Sequence, residues 1–575
     1  AKYAYAEGYF AHDYDYRKVK VAGFDNTSKR LTTEGAHRID LDVYPQNPRR
    51  LRIVNLLEEL DSPGEWYYDR DMSKLYWYPA DFEDINEIRL TVSENPMLEI
   101  SKSRNVEVRG IGFSQSTGVG IKAEDTDGFS VDGCSFDGIL SDAVLVVSGK
   151  NCKIKNCVFT NGARGIVINS GDFQNLGASG NVVENNILRH MGYGFKYGSN
   201  VAVRVSDTGG IIKNNTISDC PSTAVSYTGN DIGIYSNEIY NVCSETNDAS
   251  AVYSGRKYLA RGNEICENYI HDILTDYGWS SQRDFGGNPL LLTYAVYLDD
   301  GLSHQSVRQN IIKNVPSAFD VNCGQFNVCR DNIVIGTRAA AFYVTSYNIN
   351  NAQRAAREKS EWAELESNTQ SKEIYLGKYP ELMLNSEENG IYYLAQPANN
   401  DVSGNLFVSC ASGASISKEN RGNHGTFENN VYAGGAEFAD EENGDFRIRQ
   451  GADILALLPN LPAENSEDVQ SVGADFAKTG EVVVLTKNNV SQKSSADFGG
   501  AMICLRVMGE NLTGKTVYCA AYDCSGRLVS VSAEKPQSTA AEFCIENDGA
   551  TESVGIFVWE NGIMKPFCDS IEIGN

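Results

Sequence analysis

The segment AVYLDDG, residues 295–301, sets two adjacent carboxylates, Asp299 and Asp300, at the end of a short apolar run. The chain around them has 50 basic and 76 acidic residues and a net charge of −26. Carboxylates held close together oppose each other's ionisation, so one of them keeps its proton at a pH where an ordinary acid has lost it. A protonated acid beside an ionised one is what cleavage of a glycosidic bond requires. One group protonates the leaving oxygen and the other acts as base or nucleophile. A Ca²⁺ ion, which takes clustered oxygen ligands, is the competing use for Asp299, Asp300 and Asp320. Asp320 in AFDVNC and Asp248 in NDASAVYSGR join this chemistry only if the fold brings them near.

A repeat supplies the means. Asn-x-aliphatic recurs as NIL at 186–188, NTI at 215–217, NEI at 237–239, NYI at 268–270, NII at 310–312, NIV at 332–334, NLF at 405–407 and NVY at 430–432. Cys134 and Cys157 occupy the same slot, in CSF and CVF. The shortest intervals, 22 and 23 residues, suit one coil of a parallel β-helix, with inserted loops accounting for the longer ones. Each Asn then stacks on the one below, and its amide satisfies neighbouring amides and backbone, a structural ladder.

A second register runs through AVRVSD, AVSYTG, AVYSGR, AVYLDD, AFDVNC and AFYVTS. Strand residues alternate faces, so aligned coils generate vertical columns. The inner columns read Val203, Val225, Val252, Val296, Phe319, Phe342 and Val205, Tyr227, Ser254, Leu298, Val321, Val344, a core. The outer columns read Arg204, Ser226, Tyr253, Tyr297, Asp320, Tyr343 and Ser206, Thr228, Gly255, Asp299, Asn322, Thr345. Asp299 therefore points outward, Asp300 sits in the following turn, and the Cα atoms of Asp299 and Asp320 come within ~8 Å. Asp248 enters the neighbouring coil beside Tyr253 and Arg256 and is a third candidate acid. Tyr253, Tyr297 and Tyr343 offer flat faces to sugar rings. Arg204 and Arg256 can orient hydroxyls, with a salt bridge to Asp300 the structural alternative for Arg256. Asn322 and His304 complete the expected substrate contacts. His271, next to Asp272 in NYIHDI, follows the Asn ladder and reads as a satisfied turn histidine.

The elements that must position these residues divide into three. Residues 1–94 are strand-rich and off the repeat, and include an aromatic hairpin at 63–79. Residues 95–474 form the solenoid and its cap, with insertions at 171–200, 244–250, 275–294 and 346–398, the last carrying a polar helix-like run. Beyond the linker-like PAENSEDVQ, residues 478–575 alternate as a small β-sandwich, an accessory carbohydrate-binding unit or a structural appendage. The fold class is thus all-β.

The acidic balance disfavours nucleic acid and anionic membranes as partners, and no apolar run reaches the ~20 residues of a membrane helix. The fourteen cysteines are dispersed at strand-like positions and read as buried thiols. They form no CxxC, and the six histidines form no HxH or HExxH, so no zinc site and no cofactor is expected. The first residue is Ala and no basic-then-apolar leader follows, as in a processed or truncated chain.

The phrases PGEWYYD…LYWYP, AVYSGRKYLARGNEICENYIHDI and AVYLDDGLSHQSVRQNII resemble bacterial right-handed parallel β-helix proteins of carbohydrate breakdown. The likeness is closest to the glycoside hydrolase family containing α-L-fucosidases and xylanases, and more distant to the β-helix β-xylosidases. It spans about residues 1–475 and implies that coils precede the PGEW hairpin. It also implies an oligosaccharide or polysaccharide substrate and a catalytic pair at Asp248 and Asp299. The export route is not readable from the sequence, and a secreted or cell-surface location is the favoured expectation. The β-xylosidases pair an Asp with a Glu, whereas the slot above Asp299 holds Asn322, which counts against that subgroup. The expected activity is glycoside hydrolysis. The alternatives are a polysaccharide lyase on the same fold, with Lys257 or Arg256 as base, and a non-catalytic glycan-binding solenoid.

Overall fold

The computed structural model describes residues 3–10, 13–35, 50–79, 91–192, 201–273, 292–346, 351–385, 396–417, 424–441 and 445–463, with strands between 480 and 574. Most of the 275–294 insertion and the 464–470 part of the linker-like segment lie outside the described residues. Among those described, three parallel sheets of eleven, ten and eleven strands follow one another in rotation, as a right-handed parallel β-helix. In the first sheet, direct pairing joins Val203 to Val225, Val225 to Val252, Val252 to Val296, Val296 to Phe319 and Phe319 to Phe342. Every one of these side chains is buried, because period-two alternation sends one face of each strand into the solenoid.

The asparagine slot is a continuous ladder. From Asn186 through Asn215, Asn237, Asn268, Asn310, Asn332 and Asn405 to Asn430, each backbone N–H donates to the side-chain oxygen of the Asn one coil on. Below Asn186 the same slot holds Cys157, whose N–H donates to Asn186 Oδ1. The corner requires a left-handed residue just before the ladder position, and Asn185, Asn214, Ser236, Glu267, Gln309 and Asp331 all have φ between 51 and 57°. Side chains disfavour that conformation, so the amide network must hold each corner in it. A second ladder, through Asn263, Gln305, Asn327 and Asn400, lines another corner.

Three additions flank the coils. An antiparallel sheet of Tyr5–Tyr9, Tyr16–Asp25, Arg30–Thr33 and Arg50–Val54 precedes them, followed by the hairpin Trp66–Asp69 and Lys74–Trp77. The helices Asn351–Glu366 and Thr369–Lys378 form a lateral insertion. It docks through a cluster of Tyr258, Leu365, Tyr375, Tyr379 and Leu382. The strands Phe438–Asp440 and Asp445–Ile448 and the helix Asp453–Leu457 cover the apolar outer side of the third sheet, where Phe438, Phe446 and Ile448 meet Ile311, Ile333 and Leu406. Beyond them lie two four-stranded sheets, mostly antiparallel, with one parallel pair of Gly480–Leu485 and Met502–Gly509. Among the described residues, no helix is long and apolar enough to cross a membrane.

Candidate active site

The strands Ala249–Gly255 and Thr293–Asp299 lie side by side, with Tyr253 paired to Tyr297 and Gly255 to Asp299. A Cβ at Gly255 would come to 2.9 Å from the Asp299 carbonyl oxygen and 3.0 Å from its Cβ, so glycine leaves the room in which Asp299 settles. The Asp299 carboxylate accepts three hydrogen bonds: from the Tyr253 hydroxyl at 2.9 Å, from Asn322 Nδ2 at 2.8 Å and from the Asp300 backbone N–H at 2.7 Å. Only 7% of Asp299 is exposed. Burial and then the neighbouring Asp300 charge push its pKa up, while Asn322, Tyr253 and Arg256 favour the ionised form.

Asp248 lies at the start of the lower strand with φ 57° and accepts from the Tyr297 hydroxyl at 3.3 Å. Burial, reinforced by the Asp299 charge, raises its pKa to about 7. The two acids sense one proton between them. Asp299 has three donors that stabilise its charge and Asp248 one, so the hydrogen bonds favour ionisation of Asp299 over that of Asp248. The tyrosine rings meet edge to face, Tyr253 and Tyr297 at 5.7 Å, with Tyr294 against Tyr297 at 4.7 Å. Their enclosure raises the Tyr253 and Tyr297 pKa values well above the ordinary phenol value, which keeps both hydroxyls as donors.

The other expected residues are placed differently. Asp320 pairs with Tyr297 and Tyr343 in the outer column but has no exposed surface. It accepts from the Thr345 hydroxyl at 3.0 Å, and burial raises its pKa to about 8. Enclosed and protonated, it has no direct access to substrate, which corrects the expectation that it closes on the same bond as Asp299. Asp300 turns to Arg256 at 2.8 Å and to Arg357 of the inserted helix at 3.9 Å. Asn322, expected against substrate, spends an amide hydrogen on Asp299. His304 bonds to Glu381, which also receives Arg261, and stands edge-on to Tyr379. It ties the coil to the insertion, through a partner 77 residues away. Arg204 is exposed in the outer column, separated from Tyr253 by Ser226. Tyr343 is half-buried against Tyr294. His271 is satisfied by Asp272 and Glu238 between two tyrosine rings.

The Ca²⁺ alternative meets the same geometry. Asp299 accepts from hydrogen-bond donors, Asp300 pairs with two arginines, and Asp320 accepts from a threonine in an enclosed space. Among the described residues, no group of three or more His, Cys, Asp or Glu side chains is arranged to hold a metal ion. Arg357 and Tyr294 were not legible as site residues. Arg357 sits in a polar helix with no local signal, and Tyr294 belongs to a strand read only from Ala295 onward.

A protein-family model described as "Right handed beta helix region" matches residues 81–208. Among solved structures, one described as a glycoside hydrolase is similar at 16% identity and a TM-score of 0.45, over 54% of this chain and 65% of that one. The chain thus spans less than two thirds of that protein. The A-module of the Azotobacter vinelandii mannuronan C-5 epimerase AlgE6 is similar at 13% identity and a TM-score of 0.30, over 60% of this chain and 91% of that one. No curated protein matches the sequence.

Proposed function

We propose that the protein is a glycoside hydrolase acting on an oligosaccharide or polysaccharide, with Asp248 as general acid and Asp299 as the ionised base or nucleophile. The observation that carries this reading is the unequal support of two neighbouring acids, with three hydrogen-bond donors on Asp299 and one on Asp248. It divides one proton between them in the way that glycosidic cleavage uses. The tyrosines beside them supply aromatic edges and faces for a sugar ring, and Arg204 adds an exposed cation in the same column. Two acids and water suffice for the reaction, so no cofactor enters it.

A panel of aryl glycosides and plant and host glycans, read by product analysis, tests the reading. Release of a new reducing end, lost in Asp299→Asn while binding persists, is the expected result. An unsaturated uronide product detected by ultraviolet absorbance would establish a lyase instead. Glycan binding without turnover by the unaltered protein would establish a binding solenoid.

A further inference from the structure

Asp248 owes its position to the loop 243–248, which is tied on three sides. The Glu245 N–H donates to the Pro221 carbonyl of the coil below at 3.0 Å. Asn247 Oδ1 accepts from the Leu292 N–H at 2.8 Å and the Thr293 hydroxyl at 3.3 Å in the coil above. The third tie comes from outside the solenoid: Arg50 Nη2, on the N-terminal sheet, donates to the Glu245 carbonyl at 2.8 Å across 195 residues of sequence. These ties matter because a left-handed φ at a residue with a Cβ persists only where its surroundings impose it.

Arg50 is itself immobilised. Its Nη2 and Nε both donate to Asp13 Oδ1, at 2.8 and 3.2 Å, and Asp13 has no exposed surface. The guanidinium lies over the Tyr9 ring, 4.2 Å from its centroid. Tyr9 and Arg50 are register partners, and a Cβ on the preceding Gly8, with φ 142°, would lie 2.1 Å from the Arg50 carbonyl oxygen. Only glycine allows that approach. Burial and next the Glu245 charge raise the Tyr9 pKa.

We propose that the N-terminal sheet is part of the catalytic apparatus, with Arg50 the positioning residue that fixes Asp248 by holding the Glu245 carbonyl. This rests on the reading of Asp248 as the acid of the site, and it deepens that reading by assembling the site from sheet and solenoid together.

The test uses the full chain and two variants, Arg50→Ala and Asp13→Asn, the second weakening the support without removing the guanidinium. Infrared difference titration follows the protonated carboxyl band that disappears in Asp248→Asn. Loss of a positive charge alone would raise an acid's pKa, whereas release of the loop into water lowers it. The expected result is a fall of about one pH unit from the raised midpoint in Arg50→Ala, a smaller fall in Asp13→Asn, and an unchanged circular dichroism spectrum of the solenoid. On a cleaved glycoside, kcat falls about 10- to 100-fold with little change in KM, and Arg50→Lys recovers part of the loss. An Asp248 midpoint that stays in place or rises in both variants overturns the proposal. A midpoint that falls in a protein that cleaves no glycoside leaves the positioning role standing and rejects the hydrolase reading alone.

Discussion

Tyr253 donates its hydroxyl hydrogen to Asp299 across 2.9 Å, from one coil to the next. The relationship is returned from the strand of Asp299, where Tyr297 donates to Asp248 at 3.3 Å. Each acid is thus braced by a tyrosine of the other's strand. The coil-to-coil spacing of a parallel sheet, ~4.8 Å, makes this exchange possible. It brings together two acids that are 51 positions apart in sequence, and the Asp299 charge helps to raise the Asp248 pKa.

Removing either hydroxyl alone is expected to move one limb of the pH profile. A donor to a carboxylate stabilises the charged form, so Tyr253→Phe raises the Asp299 pKa and shifts the acidic limb of kcat/KM upward by about 0.5–1 unit. Tyr297→Phe raises Asp248 above its value of about 7 and extends the alkaline limb by a similar amount. Profiles on one substrate check both. A uniform loss at all pH values in either variant would contradict the brace.

The two acids are expected to fail differently. Asp299→Asn removes the ionised partner and lowers kcat by about 10³-fold or more on every substrate. Asp248→Asn removes the proton donor, so its loss is large on natural glycans but small on aryl glycosides whose leaving group needs no protonation. Steady-state kinetics on a leaving-group series separates the roles. An equal loss for the two variants across the series would assign them the wrong way or not at all.

The coils were legible because period-two alternation and an Asn-x-aliphatic phrase recur at intervals of one coil or one coil plus an inserted loop, so Val252, Val296 and Phe319 could be stacked by register alone. The outward direction of Asp299 followed from the same register. What depends on loops did not follow. His304 is captured by Glu381 and Asp300 by Arg357, both from an insertion whose docking no local pattern encodes. The second ladder escaped notice because it mixes Gln305 with asparagines and lacks a regular flanking phrase. Asp320 is fully buried and takes Tyr294 as a hydrogen-bond partner, which an outer-column assignment does not contain.

The main ladder carries a stability expectation that depends on depth. Asn268 is fully buried. Its Oδ1 accepts both the N–H and the Nδ2 of Asn237 at 3.0 Å, and its Nδ2 donates to Ile234 O, Cys266 O and Asn310 Oδ1. Asn268→Ala leaves several of these groups unpaired in a place water cannot reach, at about 1–3 kcal/mol each and roughly 3 kcal/mol or more in all. Asn430, at the half-buried end of the ladder, is expected to cost less than half as much when replaced by Ala, since water takes over its bonds. Urea unfolding of the two variants measures the contrast.

Asp320 sets the last expectation, which concerns stability against pH. In the folded chain its pKa is raised to about 8 by burial, whereas an unfolded Asp titrates near ~4. Between these values the folded state binds the extra proton. Asp320 therefore contributes its full share of stability below the unfolded pKa and loses it as pH rises through the folded one, by at most about 1.4 kcal/mol per pH unit. Asp320→Asn keeps the shape and an acceptor for the Thr345 hydroxyl, yet has nothing to ionise. The variant is expected to match the unaltered protein near pH ~4.5 and to exceed it in stability near pH ~8. Paired denaturant curves across that window give the difference in slope directly. The same variant settles the enzymatic question, because a neutral buried support tolerates the replacement with turnover largely intact. A loss of turnover as deep as that of Asp299→Asn, with binding kept, would return Asp320 to the reacting acids.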